Sequence, residues 1–488
     1  MNNIFDKLKN YSDSDYYAFH MPGHKRNLDL MDGTSPYRID ITEIDGFDDL
    51  HHAEGILRDA QERAARVYQA AETHFLVNGS TVGIISAILG TTEKGDSILV
   101  ARNCHKSVYH AIYLNELDPV YLYPKFDTEQ GLSTEIDAAD VQKALEEHPK
   151  IRAVMIVSPT YDGVVSDIEK IAEIVHAKGC PLIVDEAHGA HFGFDPYFPK
   201  SANIYGADLV INSLHKTLPA LTQTALLHVN GDMVKRRKVK QYLDMLQTSS
   251  PSYILMASID ACIGMLEETL ETQSDARSDY KYKNIFSEYA NRIEALRKDL
   301  KRLKYLKIIQ TDNTDRYDRS KFVISVKHAP MSSHELYEIL LHRYHLQMEM
   351  LAGTYVLAMT TVGDTQEGLD RLRDALLEID KEIDTRQGRP AAIETDLPLS
   401  GRQPALEKVW TIAEAVNRRD KIQKRSFEDS IGCISVEYAY LYPPGSPLIV
   451  PGERITKEAV EILHWYQEHD FSIEGLQSED GIEVWIDG

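Results

Sequence analysis

Between about residue 66 and residue 240, short apolar runs alternate with longer stretches whose apolar residues recur at helical spacing. The runs Ser97-Ile98-Leu99-Val100, Pro181-Leu182-Ile183-Val184 and Leu209-Val210-Ile211 have no polar face. That pattern predicts strands buried on both sides, as in a parallel sheet. One helix between them is legible in detail. Ile168, Ile171, Ala172 and Val175 fall at i, i+3, i+4 and i+7, Ser166 and Glu169 form a candidate capping box, and Lys178-Gly179 closes the run. Alternation of this kind predicts an α/β fold with a mostly parallel sheet and right-handed crossovers. The rest of the chain divides by pattern. Residues 1–65 are an arm punctuated by Pro22-Gly23 and Gly33, and 66–304 form a large domain ending in a helical, charged connector from about 252. Residues 305–385 mix the strand Phe322-Val323-Ile324-Ser325-Val326 with helices, as a small α+β domain does. Thr385 to Leu399 is a linker, and 386–488 carry it into a last α+β unit with a turn at Pro443-Pro444-Gly445.

Composition narrows the partners. The 488 residues carry 53 Lys+Arg against 76 Asp+Glu, a net charge of −23, which disfavours nucleic acid and anionic membranes. No stretch approaches the roughly 20 apolar residues of a spanning helix. The four cysteines, Cys104, Cys180, Cys262 and Cys433, are scattered without a C-x-x-C pair. With no apolar signal core after Met1, a cytoplasmic enzyme is the expectation.

Candidate chemistry sits at the strand ends. Asp185 follows four apolar residues, at the carboxyl end of a buried strand, where open α/β sheets bind ligands. An aspartate there can keep a pyridine nitrogen protonated. Ser213-Leu214-His215-Lys216 leaves the next strand, and a lysine in that place can carry a Schiff base. In Phe75-Leu76-Val77-Asn78-Gly79-Ser80-Thr81, Gly79 permits a tight turn, and Ser80 and Thr81 open a helix whose free amides suit an anion. Ser80 serves equally as an ordinary N-cap. His105, in Arg102-Asn103-Cys104-His105-Lys106-Ser107, either stacks on an aromatic cofactor or simply starts a helix. Asp185-Glu186-Ala187-His188 has the letters of a helicase magnesium strand, but the chain contains no G-x-x-x-x-G-K-[ST] loop. His188 and His191 lack further metal partners, so no metal is expected.

Taken in order, these segments resemble the ornithine/lysine/arginine decarboxylases, within the aspartate-aminotransferase-like enzymes that use pyridoxal 5′-phosphate (PLP). The resemblance extends over nearly the whole chain. It includes Phe19-His20-Met21-Pro22-Gly23-His24-Lys25, Asp48-Asp49-Leu50-His51, Ser158-Pro159-Thr160-Tyr161-Asp162-Gly163, Tyr442-Pro443-Pro444-Gly445 and Pro451-Gly452-Glu453. It implies that Lys216 carries PLP, Asp185 pairs with the ring nitrogen, and His105 stacks on the ring with Ala187 on the other face and His188 beside it. Gly79, Ser80 and Thr81 would hold the phosphate with Ser213 and His215, and His215 is a candidate proton donor. Thr248 would reach a phosphate across a subunit boundary, making a homodimer with shared sites, or a higher even oligomer. Glu437 and Glu453 are the candidate acids for the substrate's distal cation, and both also read as surface acids.

The expected reaction is decarboxylation of arginine or lysine, or of ornithine, in polyamine-type metabolism. Met1 lies only 21 residues before Pro22, which leaves no room for the extra N-terminal domain of larger members. His188 stands where those often have an aromatic residue, and Thr217-Leu218-Pro219-Ala220 follows Lys216 as in a short-chain branch. The rival readings are another PLP reaction on the same fold, an aminotransferase or aldolase-like lyase, and a catalytically silent PLP-binding regulator.

Overall fold

The computed structural model describes residues 13–27, 29, 36–274, 281–309, 316–385, 403–418, 421–441 and 445–486. Apart from Thr385, the linker expected up to Leu399, and the residues Tyr442-Pro443-Pro444, lie outside them.

In chain order the elements that build the fold are β1 (Tyr17–Phe19), α1 (Ile56–Val67), β2 (Glu72–Leu76), α2 (Gly79–Thr91), β3 (Ser97–Ala101), α3 (Lys106–Leu114), β4 (Asp118–Leu122) and β5 (Ile151–Val157). Then come α4 (Ile168–Ala177), β6 (Leu182–Asp185), β7 (Leu209–Asn212), α5 (Leu214–Thr217), β8 (Ala225–Val229), α6 (Arg236–Leu246), α7 (Tyr253–Ser274) and α8 (Ile285–Leu300). The small domain follows with β9 (Lys307–Ile308), β10 (Lys321–Ser325), α9 (Ser333–His342), β11 (Leu346–Met348), β12 (Met350–Ala352), β13 (Tyr355–Met359) and α10 (Gln366–Thr385).

A seven-stranded sheet in the order β2-β8-β7-β6-β5-β3-β4 organises the large domain. Only β8 runs against its neighbours, β2 and β7; the other pairings are parallel. Both faces are covered, so the strands are apolar throughout. On β8, Leu226 packs into a core shared with α1 and α7, while Leu227 and Val229 pack with α2, α3, α4 and α6. α4 buries Ile168, Ile171, Ala172 and Val175 as its spacing predicts. Its cap differs from the expected box. Asp167 accepts from the Lys170 amide, because the Ser166 hydroxyl is committed to the Ile136 amide at 3.1 Å.

The expected connector is two helices, α7 and α8, with 275–280 outside the described residues. α8 buries Phe286, Tyr289, Ile293 and Leu296 in the small-domain core. That domain is the sheet β9-β10-β13-β12. The arm is more than turns: β1 pairs in parallel with β11, and Gly23 approaches α5 so closely that a Cβ there would lie 2.7 Å from the Leu218 carbonyl oxygen. The Gly23 amide donates to the His215 carbonyl at 2.7 Å. The arm thereby ties the helix of Lys216 to the small domain. The C-terminal unit has its own core of Leu406, Phe427, Ile449, Ile455, Leu463, Ile482 and Val484. Among the described residues no helix is long and apolar enough to cross a membrane.

Candidate active site

The carboxyl ends of β5 and β6 and the starts of α2, α3 and α5 enclose a cavity of ≈ 560 Å3. Gly79, Ser80, Thr81, His105, Asp185, Ala187, His188, His215 and Lys216 all line it. Gln403 and Ser446 close it from the C-terminal unit, Ser446 donating to the Asn103 carbonyl at 2.7 Å.

One end suits an anion. Gly79 turns the chain at φ +74°, and α2 begins with no side-chain cap, since the Asn78 side chain accepts instead from the Thr248 amide at 3.2 Å. The first-turn amides and the helix dipole therefore face the cavity. Ser213 does not line the cavity, but its hydroxyl is buried without a partner among the described residues, an orphan that an anion would satisfy.

The middle suits a flat heteroaromatic ring. Asp185 ends β6, and one carboxylate oxygen accepts from the Ala187 amide at 3.1 Å. Burial raises its carboxyl above the usual range, against the pull of the Lys216 cation. His105 caps α3, its Nδ1 accepting from the Ser107 amide at 3.2 Å, which leaves the ring proton on Nε2. Burial, with Lys216 and Lys106 nearby, pushes its pKa down to about 3, so it is a neutral ring. These features fit PLP: an uncapped helix start for phosphate, a carboxylate for the ring nitrogen and a lysine for the aldehyde carbon.

Lys216 lines the cavity next to His188, and a second lysine lies behind that histidine. Lys216 Nζ lies 3.0 Å from His188 Nε2. Burial lowers the Lys216 pKa, with Asp185 and Glu349 pulling it back up. His188 Nδ1 meets a second lysine, Lys321, at 3.1 Å. Tyr161, also on the cavity wall, tilts over the His188 ring at 4.4 Å between centroids and donates to Glu349. His191 faces elsewhere, with Nε2 at 3.1 Å from Asp318.

Not every expected site residue lines the cavity. His215 Nδ1 donates to the Thr224 carbonyl at 2.8 Å, so Nε2 offers a lone pair. Burial pushes the pKa down to about 4, so the ring is neutral near pH 7. Neither Glu437 nor Glu453 lines the cavity, and neither is a surface acid. Glu437 accepts from the Gln477 and Glu483 amides at 2.8 and 2.7 Å, inside the C-terminal unit. Glu453 is fully buried against Arg102 at 3.0 Å and the Val450 amide at 2.8 Å. Thr248 is exposed and outside the cavity of its own chain. Sequence reasoning did not single out Lys321, Glu349 or Asp162; Asp162 lines the cavity and accepts from Tyr355 at 2.6 Å.

Two solved structures share this fold. Lysine decarboxylase LdcF of Francisella novicida has a TM-score of 0.78 at 18% identity, covering 98% of this chain and 80% of that one. Lysine decarboxylase A of Pseudomonas aeruginosa has 0.77 at 20%, covering 99% and 80%. Fold and cavity together define an aspartate-aminotransferase-like, PLP-dependent enzyme. The family model for the major domain of Orn/Lys/Arg decarboxylases matches residues 2–339, and that for the family's C-terminal domain matches 402–484. The chain belongs to the Orn/Lys/Arg decarboxylase family, whose members are PLP-dependent amino-acid decarboxylases. Among its relatives are the "Uncharacterized protein YaaO" of Bacillus subtilis, 36% identical over 94% of this chain and 93% of that one, and proteins named arginine decarboxylase in Bacillus subtilis (30%; 94% and 92%) and Bacillus anthracis (31%; 97% and 94%).

Proposed function

We propose that the chain decarboxylates a free basic amino acid to its amine and carbon dioxide, in polyamine-type metabolism, with arginine ahead of lysine and ornithine third. The reading rests on one observation: a single cavity gathers Lys216, Asp185, the neutral His105 and the uncapped start of α2. PLP, when bound, supplies an electron sink for the bond pair left behind as carbon dioxide departs. Lys216 holds the cofactor through Nζ, Asp185 keeps the proton on its ring nitrogen, His105 and Ala187 confine the ring, and Gly79, Ser80 and Thr81 take the phosphate. With His215 an acceptor, Lys216 is the group that returns a proton to the substrate carbon.

What supports arginine over lysine is the extent of the likeness. The relatives named arginine decarboxylase match over more than nine-tenths of their length. Those named lysine decarboxylase in Pseudomonas aeruginosa and Escherichia coli match 54% and 48% of this chain. Among the described residues, Asp162 is the carboxylate besides Asp185 that lines the cavity, and it is this chain's acid for the distal cation. We infer a homodimer from exposed apolar side chains: Phe47 of the arm, Ile56 at the start of α1, and Met245 and Leu246 at the end of α6, the last two shortly before Thr248 in sequence. A cytoplasmic setting agrees with four free cysteines.

The test is purified protein with PLP and, separately, arginine, lysine and ornithine, following the cofactor's visible absorbance, carbon dioxide and amine. Amine and carbon dioxide in equal amounts, with no keto acid, are expected from arginine first. Keto acid without carbon dioxide points to an aminotransferase. Bound cofactor with no product from any of the three leaves a silent regulator.

A further inference from the structure

His188 lies between two lysines, and the hydrogen-bond inventory limits what that arrangement can hold. An ammonium donates and has no lone pair, while a neutral imidazole has one N–H and one lone pair. Burial and the adjacent cations Lys216 and Lys321 push the His188 pKa well below its ordinary value, so the ring is neutral. With Lys216 on Nε2 at 3.0 Å and Lys321 on Nδ1 at 3.1 Å, the ring accepts from one lysine and donates to the other. The lysine that accepts is an amine. Two arrangements therefore carry the same charge. In one, Lys216 is an ammonium donating to Nε2, and Nδ1–H points to the Lys321 amine. In the other, Lys321 is the ammonium donating to Nδ1, and Nε2–H points to the Lys216 amine.

Lys321 is built to take part. It is fully buried at the start of β10, and His188 is the partner of its Nζ among the described residues. The charged groups facing it are Asp318 on its own segment, Glu349 between β11 and β12, Asp162 after β5, Lys25 of the arm and Lys216. None of the carboxylates comes within ion-pair distance of Lys321 Nζ among the described residues, so nothing pins its proton.

The geometry points to a two-lysine relay in which His188 passes protons between Lys216 and Lys321, so that Lys321 takes the proton Lys216 sheds whenever its amine must act as nucleophile or base. One N–H bond breaks on Lys216 and one forms at Nε2, while the Nδ1–H bond breaks and one forms on Lys321. No charge is lost and no water is needed. Lys321 is a positioning residue here, acting through His188. The inference rests on Lys216 being the cofactor lysine, a reading that Lys216→Ala turnover tests separately.

The relay is tested on the apoprotein, without turnover, by labelling Lys216 with acetic anhydride between about pH 6 and 10 and quantifying its peptide by mass spectrometry. Lys321→Met removes the proton acceptor. Lys216 then keeps its proton to higher pH, and its labelling near neutrality falls about tenfold for every pH unit by which its titration moves up. Lys321→Arg holds a permanent cation that cannot accept a proton. It freezes the second arrangement, so Lys216 labels at least as fast as in the wild type while turnover of the holoenzyme falls about tenfold or more. His188→Phe cuts the connection, and adding Lys321→Met to it changes labelling little further. Unchanged Lys216 labelling in Lys321→Met, or wild-type turnover in Lys321→Arg, overturns the relay. A purely structural Lys321 gives the second result, because the conservative cation restores everything at once.

Discussion

Arg102 and Glu453 are buried as completely as Lys321 and His188, yet the two groups are built on opposite terms. In the first, a cation and an anion meet at 3.0 Å. Arg102 also donates to the Pro447 and Leu448 carbonyls and to the Tyr109 hydroxyl, and Glu453 accepts from the Val450 amide. The pair fastens the C-terminal unit onto the strand end that leads to His105. In the second, two lysines flank one neutral imidazole, with no carboxylate in ion-pair reach of either amine among the described residues. Burying an ammonium without a counterion costs stability, and such costs persist where chemistry needs a displaced pKa. The Arg102–Glu453 pair fixes how the domains sit, and the Lys216–His188–Lys321 group keeps an amine ready to react.

The contrast predicts opposite mutational signatures. Lys216→Ala should lower carbon dioxide release by roughly 10^4-fold or more, while the melting temperature holds or rises because a buried amine has gone. Glu453→Gln should do the reverse. It leaves Arg102 uncompensated in the interior and should cost about 3–5 kcal/mol of stability, with turnover per folded molecule largely kept. Denaturant unfolding and initial rates on the same preparations separate the two. A Glu453→Gln protein of native stability with a raised KM for arginine would restore this acid to the substrate pocket and undo the contrast.

A smaller effect, read in pH, sharpens it. Burial pushes the Lys321 pKa down to about 8, from about 10.5 in the unfolded chain. Between those values the unfolded state binds the extra proton, so this group's contribution to stability rises with pH. Below about pH 8 it is a penalty of about 3 kcal/mol. Lys321→Met should therefore be more stable than the wild type at pH 7, and the difference should shrink between about pH 8 and 10.5. A difference that stays constant with pH would place the effect in packing rather than charge. His215 and His228 act at the other end. Burial holds them down to about 4 and about 3, so stability should fall as pH drops from about 6.5 towards those values.

The same contrast shows what was legible in the sequence. Asp185 and Lys216 stood out because each follows a run of apolar residues with no polar face, and strand ends in such sheets are where ligands bind. The turn at Gly79 was visible for a similarly local reason. Lys321 was not, although a lysine opening the apolar run Phe322-Val323-Ile324 is a faint signal. It meets His188 across 133 residues of chain, and Tyr161 meets Glu349 across 188. Local periodicity cannot report pairings that the docking of the small domain creates. Glu453 failed the other way: a glutamate in a Pro-Gly turn reads as a surface acid or a pocket acid, and only its placement opposite Arg102 shows it is neither. The cap of α4 slipped by one residue because Ser166 had a distant claim on its hydroxyl.

Thr248 carries the smallest expected effect and bears on whether the cavity is complete within one chain. Among the described residues the Thr248 hydroxyl only accepts from the Ser250 amide at 3.2 Å, while the Thr248 carbonyl accepts from His51 at 2.8 Å and its amide holds Asn78 beside the start of α2. The backbone of this segment thus braces the phosphate end, and Thr248 itself is exposed, shortly after the exposed Met245 and Leu246 of α6. If a second copy covers that flank, the hydroxyl lies where it can donate to the partner's bound phosphate, at about 1 kcal/mol for one neutral hydrogen bond. Thr248→Ala should then weaken PLP binding several-fold, measured by fluorescence titration of dialysed protein, and Thr248→Ser should restore it. Dilution below the dimer dissociation constant should erase the difference between wild type and Thr248→Ala, because the contact exists only between chains. Equal PLP affinity in both proteins at every concentration would confine Thr248 to its own turn and leave each chain to bind its phosphate alone, with the uncapped start of α2 and the orphan hydroxyl of Ser213 sufficient for the task.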